Sequence, residues 1–212
     1  MKSFLIVLSG FSLLVLAACK PSSEKTIRVI GEQIIVKKNA NGEVYYDTLS
    51  ARAPQFSFTN HHHQPFNSET LKGKIWVADF FFTHCPSICV KMKANLLKAN
   101  KEFGQNSDFQ LVSFSIDPQR DSVQQLYNYA AKLGVENANW NFLTGEKELI
   151  YAVADSFLAH AAEDPNSPGG FIHDGNFIMV DKRGRIRGFY DGTNDEAVVK
   201  MINDLKLLLK ED

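Results

Sequence analysis

Cysteine is scarce in this 212-residue chain, which holds three, and neither acidic nor basic residues are in clear excess. Three cysteines are too few for the disulfide framework that stabilises small exported domains. A formal net charge of −1 provides no basic surface, so nucleic acid is not an expected partner. The sequence also lacks repeats and low-complexity tracts, and beyond residue 20 no apolar stretch is long enough to cross a membrane. The length remains ample for a globular domain with a large core.

The first eighteen residues have the pattern of an export signal. Lys2 precedes an apolar run from Phe4 to Leu16, which is short for a membrane span. The junction Leu16-Ala17-Ala18-Cys19 resembles a bacterial lipobox, which predicts a lipoprotein signal peptide over residues 1–18, lipidation of Cys19 and a tether over residues 19–25. An uncleaved anchor, or an ordinary signal with a chance cysteine, is the alternative. Both place the rest of the chain in the cell envelope, outside the cytoplasm, and the lipid would hold it to a membrane.

Two regions follow the tether. Residues 26–53 carry β-branched and aromatic residues around the turn signal Asn39-Ala40-Asn41-Gly42, which predicts a β-rich N-terminal extension. In residues 54–212, apolar strand patterns alternate with amphipathic helical patterns, which predicts an α/β domain with a mixed sheet flanked by helices. After a hairpin from Phe56 to Phe66, the predicted strands are 74–82, 109–116, 140–143, 177–180 and 185–190, and the predicted helices are 90–103, 121–133, 147–157 and 195–209. The first of these helices repeats Met92, Leu96, Ala99 and Phe103 at a spacing of three to four residues, and Asp121 is expected to cap the second.

Two cysteines, Cys85 and Cys89, lie between a predicted buried strand and a predicted helix. This arrangement narrows the α/β class to a thioredoxin-like fold. The N-terminus of a helix favours thiolates, which bind soft metals and attack disulfides. Thiols four residues apart can hold one metal ion or form a disulfide with modest distortion, so the spacing alone does not decide between metal binding and redox chemistry. A plain structural disulfide is the third possibility, although it would close only a very small loop.

A third ligand for a metal would come from a histidine. His173 lies in a glycine-containing loop before the strand at Phe177, and in a thioredoxin-like fold this loop faces the cysteine-bearing helix terminus. Alone, His173 could also be a loop histidine that hydrogen-bonds to the backbone. His61, His62 and His63 are consecutive in the predicted hairpin turn, where they could collect copper but are better explained as a solvated turn. His84 is expected to be exposed or to tune the thiols, His160 to end a helix, and Met92 to pack in the core rather than ligate.

Four ordered motifs resemble those of the Sco/SenC family of copper proteins of respiratory membranes. They are Asp79-Phe80-Phe81-Phe82-Thr83-His84-Cys85-Pro86-Ser87-Ile88-Cys89, Ser113-Phe114-Ser115-Ile116-Asp117-Pro118-Gln119-Arg120-Asp121, Gly169-Gly170-Phe171-Ile172-His173, and Val180-Asp181 with Gly188-Phe189-Tyr190-Asp191-Gly192-Thr193. The resemblance runs from about Pro54 to the C-terminus. Val90 stands where the family usually has proline, and the three hairpin histidines stand where it usually has small polar residues.

The resemblance implies a thioredoxin-like fold and one copper ion, Cu(I) or Cu(II), held by Cys85, Cys89 and His173. It also implies a role in assembling the dinuclear copper site of cytochrome c oxidase, whose copper-site subunit would be the partner. The chain would act there as a metallochaperone that delivers copper, or as a reductant of the target cysteines.

Three functions therefore stay open at this point. The first is a metallochaperone without turnover. The second is a thiol–disulfide oxidoreductase or peroxidase with Cys85 as the attacking thiolate. Thioredoxin-type enzymes usually have a proline directly before the strand that faces the cysteines, and its absence from His173-Asp174-Gly175-Asn176 argues against this function. The third is a structural lipoprotein that binds zinc through two thiolates and one imidazole.

Overall fold

The central strands of the domain are apolar on both faces, and this determines its layered architecture. The structure is a computed structural model that describes residues 26–211. Strands β5 (Ile75–Phe81), β6 (Phe109–Ser115) and β7 (Trp140–Thr144) are buried along their whole length and pair in parallel. Strands that are buried on both faces must be shielded from water on each side of the sheet, and in this class of fold helices pack on both faces. The predicted signal peptide, Cys19 and the tether lie outside the described residues.

A seven-stranded mixed sheet forms the centre of the domain, as predicted. The antiparallel strands β10 (Asn176–Val180) and β11 (Ile186–Asp191) extend it on one side, and β3 (Ser57–Asn60) and β4 (Pro65–Asn67) extend it on the other. The spatial order is β11-β10-β5-β6-β7-β3-β4. The helices are α1 (Ile88–Phe103), α2 (Val123–Lys132), α3 (Lys147–Ser156) and α4 (Asp195–Leu208).

Two small antiparallel hairpins lie outside the main sheet. Strands β1 (Gln33–Lys38) and β2 (Val44–Leu49) pair with each other and confirm the β-rich N-terminal extension. Strands β8 (Ala161–Glu163) and β9 (Phe171–His173) form the second hairpin, which the sequence pattern did not predict because each strand has only three residues. The division of the chain at residue 54 stays a prediction. None of the helices within residues 26–211 is long and apolar enough to cross a membrane.

Helix α1 packs through the residues that its periodicity predicted. Met92, Leu96 and Ala99 are fully buried, and Phe103 nearly so, which confirms that Met92 belongs to the core. The start of α2 differs from the prediction. Ser122 accepts a hydrogen bond from the backbone N–H of Gln125 and caps the helix, whereas Asp121, the predicted cap, is fully buried and turned inward.

Lys93 brings a charged side chain into the core beneath α1. Its Nζ lies 2.6 Å from Asp79 Oδ2 and 2.9 Å from Ser113 Oγ, and it stands 3.8 Å from the centre of the Phe81 ring. Both members of the ion pair are 1 % exposed. Burial lowers the pKa of Lys93, and the charge of Asp79 opposes that shift. The two charges are therefore tolerated only as a pair.

The hairpin turn between β3 and β4 is not fully solvated, so this part of the prediction was wrong. His61 is 1 % exposed, its ring packs edge-on against Phe142, and its Nδ1 accepts the backbone N–H of Phe142 at 3.3 Å. Desolvation by burial, with a smaller contribution from His62, lowers the pKa of His61 to about 4. His62 and His63 are exposed, as a solvated turn requires.

We predict that Asp79→Ala lowers the free energy of unfolding by about 3–5 kcal/mol, because it leaves the Lys93 charge buried without a partner. The double variant Asp79→Leu/Lys93→Met removes both charges and is expected to recover most of that loss. Urea unfolding measures each value. Asp47→Ala, which breaks the exposed pair with Lys37, is the matched control and should change stability little. A single variant as stable as the wild type would contradict the buried pair.

We predict that His61 makes the protein less stable as the pH falls from about 6.5 to about 4. The pKa of His61 is lower in the folded state than in the unfolded state, so between these two pH values the unfolded state binds a proton that the folded state does not. The free energy of unfolding therefore decreases as the pH falls through this window. Replacement by Asn keeps an acceptor for Phe142 N–H and should remove on the order of 2 kcal/mol of this pH dependence. Urea unfolding across the window, with the exposed His63→Asn as control, tests it; equal slopes in His61→Asn and wild type would contradict it.

Candidate metal centre

The two thiols occupy the connection between β5 and α1. Cys85 lies in the loop, where its backbone N–H donates to Phe82 O at 3.3 Å, and Cys89 lies in the first turn of α1. Cys85 stays outside the helix because the residue before a proline, here Pro86, is disfavoured in helical conformation. Both thiols are free and buried.

His173 contacts the thiols from the last position of β9, at the end of the β8–β9 hairpin that is opposite its turn. Its Nε2 lies 3.0 Å from Cys89 Sγ, and its Nδ1 lies 3.0 Å from the carbonyl oxygen of Asp174. A carbonyl oxygen only accepts hydrogen bonds, so Nδ1 carries the proton and Nε2 presents its lone pair to the thiols. The backbone thus selects the tautomer that can bind a metal through Nε2.

Cys85, Cys89 and His173 form a compact group of donors. Their ligand atoms all lie within 4.8 Å of one another, and the three residues are 8 %, 2 % and 8 % exposed. In the part of the chain that the structure describes, no other group of three or more His, Cys, Asp or Glu side chains meets the same criterion. Two sulfurs and one imidazole are soft donors, which suit Cu(I) and zinc, while the imidazole also suits Cu(II).

The two thiols share one proton unequally. A hydrogen bond from Cys89 is the largest effect on Cys85, and with nearby backbone N–H groups it lowers the pKa of Cys85 to about 3 against the opposing effect of burial. The same hydrogen bond and burial raise the pKa of Cys89. The arrangement therefore favours a thiolate on Cys85 and a thiol on Cys89 in the metal-free protein.

Asp121 fixes the loop that carries Cys85, a role that the sequence analysis did not find. Its carboxylate accepts the backbone N–H of Thr83 at 2.9 Å, the Thr83 hydroxyl and the Ser115 hydroxyl at 2.6 Å. Asp121 is fully buried, so its contacts are shielded from water. The sequence signal was present, because Asp121 closes the second family motif, but periodicity alone favoured a helix cap.

The remaining histidines do not join the donor group. His84 is exposed, as expected, and its Nδ1 lies 3.0 Å from Thr83 Oγ1. His160 lies beyond the end of α3, not at it, and its backbone N–H donates to Asp174 Oδ2. His61 points its Nδ1 lone pair at Phe142 N–H, so its Nε2 carries the proton and offers no lone pair to a metal.

A cleft of mixed polarity opens beside the donor group. Its volume is about 160 Å³, and its lining combines apolar side chains with polar ones: Phe82, Pro168, Phe171, Ile172, Cys85, Ser87, Ser167 and His173. Ile172 is 41 % exposed, so the cleft is in contact with solvent at its edge. A partner could thus reach the thiols through a short passage while most of their surface stays dry.

Comparison with known proteins identifies the family. A sequence model of SCO1/SenC matches residues 46–210. The SCO1 protein homolog of Bacillus subtilis (strain 168) is 33 % identical over 168 residues, which are 78 % of this chain and 86 % of the relative. Among solved structures, BsSco, a member of the Sco family of cytochrome c oxidase assembly proteins in which a disulfide switch was identified, has a TM-score of 0.67 and 31 % identity, with coverage of 77 % of this chain and 96 % of that one.

A second solved structure adds a metal. Arabidopsis thaliana ScoI, solved with copper bound, has a TM-score of 0.62 and 26 % identity, and the match covers 74 % of this chain and 99 % of that one. The residues that the SCO1/SenC sequence model matches include the dithiol loop, the hairpin that carries His173 and the whole central sheet. This chain belongs to the SCO1/SenC family and has its thioredoxin-like fold.

Proposed function

We propose that this protein is a copper metallochaperone that binds one copper ion through Cys85, Cys89 and His173. The observation that carries the proposal is the convergence of their three ligand atoms within 4.8 Å in a buried site. Its support is the donor chemistry: two sulfurs and a preselected imidazole nitrogen suit copper in either Cu(I) or Cu(II). The copper-bound ScoI of Arabidopsis thaliana shows that a relative with this fold binds the same metal.

A site with three ligands suits transfer of its cargo. Three protein donors leave copper open to an incoming ligand, so a thiolate of the target can bind before the ligands of this chain leave. The cleft beside Cys85 gives the target a route to the metal, and the buried position of the donors keeps water away. Copper is the substrate of this exchange, and the protein itself is unchanged by it.

The partner in this proposal is the copper-site subunit of cytochrome c oxidase, and the task is assembly of its dinuclear copper site. The description of BsSco as a member of a family of cytochrome c oxidase assembly proteins supports this target. The proposal includes lipidation at Cys19 after removal of residues 1–18, with residues 19–25 as a tether. The lipid would hold the domain at a membrane of the cell envelope, outside the cytoplasm, where such a subunit exposes its copper site.

A thiol–disulfide oxidoreductase is the second candidate, and the low pKa of Cys85 favours it. In this function the Cys85 thiolate attacks a disulfide of the target and releases one target thiolate. Cys89 then loses its proton and attacks the mixed disulfide, which releases the second target thiolate. The target gains two electrons, and Cys85 and Cys89 become a disulfide. Reduction of this kind could precede copper delivery, because the target thiols must be free to accept the metal.

We predict tight one-to-one Cu(I) binding that depends on all three donors. An anaerobic titration against a competing chelator, in full-length protein in detergent, is expected to show an affinity loss of at least about 100-fold in Cys85→Ala, Cys89→Ala and His173→Ala, since even indirect partners of ligands cost about 10–100-fold. Every variant carries Cys19→Ser, so that no third thiol competes. His84→Ala is the matched control, because it removes an exposed neighbouring imidazole.

The outcomes of this titration separate the candidates. Binding that is lost with either cysteine but keeps its strength in His173→Ala would refute the three-ligand site and leave the oxidoreductase as the better account. A second copper equivalent that disappears in His62→Ala or His63→Ala would show an auxiliary site on the hairpin turn. Tight binding of zinc with negligible binding of Cu(I) would instead support the structural zinc protein.

We predict that Cys85 of the metal-free, reduced protein reacts with iodoacetamide as a thiolate at all pH values between 6 and 8. Its pKa of about 3 means that the thiolate is fully formed in this window, so the rate constant should stay nearly flat. A free cysteine in a peptide would slow by roughly 100-fold from pH 8 to pH 6. Mass spectrometry of the labelled peptide gives the rate at each cysteine. A tenfold fall of the Cys85 rate per pH unit would contradict the assignment.

A further inference from the structure

The three donors lie on two loops, and one short segment contacts both. Cys85 and Cys89 belong to the connection after β5, whereas His173 belongs to the β8–β9 hairpin, which lies outside the main sheet. The segment Asp117–Asp121, between β6 and α2, runs between these two loops and reaches each with a charged side chain. A two-stranded hairpin is only marginally stable by itself, so the position of His173 depends on what holds that hairpin to the domain.

Asp121 forms the contact on the cysteine side. Its carboxylate accepts the backbone N–H and the hydroxyl of Thr83, two residues before Cys85. Ser115, at the end of β6, donates to the same carboxylate and fixes it to the central sheet. The cysteine loop is thereby attached to the rigid core of the domain.

Arg120 forms the contact on the histidine side. Its Nη2 donates to the carbonyl oxygen of Gly169 at 2.7 Å, while its Nε donates to Asp117, which is 3 % exposed. The guanidinium carbon also lies 5.3 Å from the centre of the Phe171 ring and 5.9 Å from that of Phe82, which is within the range of cation–π attraction. Arg120 thus contacts the hairpin through Gly169 and Phe171, and it contacts the rest of the domain through Asp117 and Phe82.

Gly169, where Arg120 binds the hairpin, also lies close to the cysteine loop. A Cβ atom built on Gly169 would lie 2.7 Å from a carbon of the Phe82 ring and 3.3 Å from Pro86, and the φ of +83° also disfavours any other residue. The Phe82 ring packs against Phe171 at 5.1 Å and edge-on against His173 at 6.0 Å. A shift of the loop at Gly169 would therefore move the aromatic rings against which His173 is packed.

We propose that Arg120 is a positioning residue that holds the β8–β9 hairpin, and with it His173, over the two thiols. The inference rests on the proposed function, because it gives His173 a metal to bind. Without Arg120 the hairpin would spend part of its time away from Cys85 and Cys89. The apparent affinity for copper would then fall in proportion to the fraction of molecules that keep His173 in place. Asp117 supports this role by orienting the guanidinium and balancing its charge.

The experiment is a double-mutant cycle between Arg120→Ala and His173→Ala in the full-length protein in detergent, with Cys19→Ser throughout. Cu(I) affinity is measured by competition, and hydrogen exchange of peptides from residues 161–174 is measured in the metal-free protein. Arg120→Ala is expected to weaken copper binding by about 10-fold when His173 is present and to have no further effect in His173→Ala. In the metal-free protein, exchange of the Gly170 and Asp174 amides is expected to accelerate by about 10-fold or more.

Two further variants keep the test specific. Arg183→Ala removes an exposed arginine from the turn at the opposite end of β10 and should leave both measurements unchanged. Gly169→Ala pushes the loop away from Phe82 while it leaves Arg120 intact, so it should accelerate exchange and weaken binding as Arg120→Ala does. Circular dichroism establishes that each variant is folded.

Equal losses of affinity in both backgrounds would overturn the proposal, because Arg120 would then act without His173. Unchanged exchange of residues 161–174 in Arg120→Ala would overturn it as well. If copper binding in the wild type proves independent of His173, the proposed three-ligand site fails, and the exchange measurement alone decides whether Arg120 holds the hairpin.

Discussion

The antiparallel pairing of β10 with β5 is the constraint on which the site depends. Ile178 pairs with Ala78 and Val180 with Trp76, so the start of β10 lies at the same end of the sheet as the end of β5. The loop after β5 carries the thiols, and the hairpin before β10 carries His173. Cys89 and His173, which are 84 residues apart in sequence, therefore meet at this end of the sheet. A parallel strand in this place would put the histidine at the opposite end.

A few charged groups are buried in the apolar core at this end of the sheet, close to the donor group. The Lys93–Asp79 pair lies one helical turn below Cys89, and the Asp121 carboxylate lies beside Thr83. Each charge is balanced by a partner or by several hydrogen-bond donors, which is the condition for keeping it away from water. The same environment supports a thiolate on Cys85, and the carbonyl oxygen of Asp174 orients the imidazole of His173. Disulfide exchange needs the Cys85 thiolate, and copper binding needs thiolate sulfur together with the imidazole, so one site supports both candidate functions.

Much of the fold and the grouping of Cys85, Cys89 and His173 could be predicted from the sequence. Long apolar runs indicated the central strands, and periodicity indicated helix α1 and the packing of Met92. His173 was identified through the fold that the cysteine pair indicated and through the family resemblance. The β8–β9 hairpin could not be predicted, since three-residue strands carry almost no pattern. The burial of His61 and the inward turn of Asp121 depend on contacts with β7 and with Thr83, which are distant in sequence.

The account depends most on the claim that two sulfurs and one imidazole bind copper together. X-ray absorption spectroscopy of the Cu(I)-loaded protein tests this directly, because sulfur and imidazole nitrogen scatter differently. The account predicts a first shell of two sulfur atoms and one nitrogen atom, with the outer-shell scattering of a single imidazole that vanishes in His173→Ala. A shell of sulfur alone, or a shell that keeps its imidazole signal in His173→Ala, would contradict it.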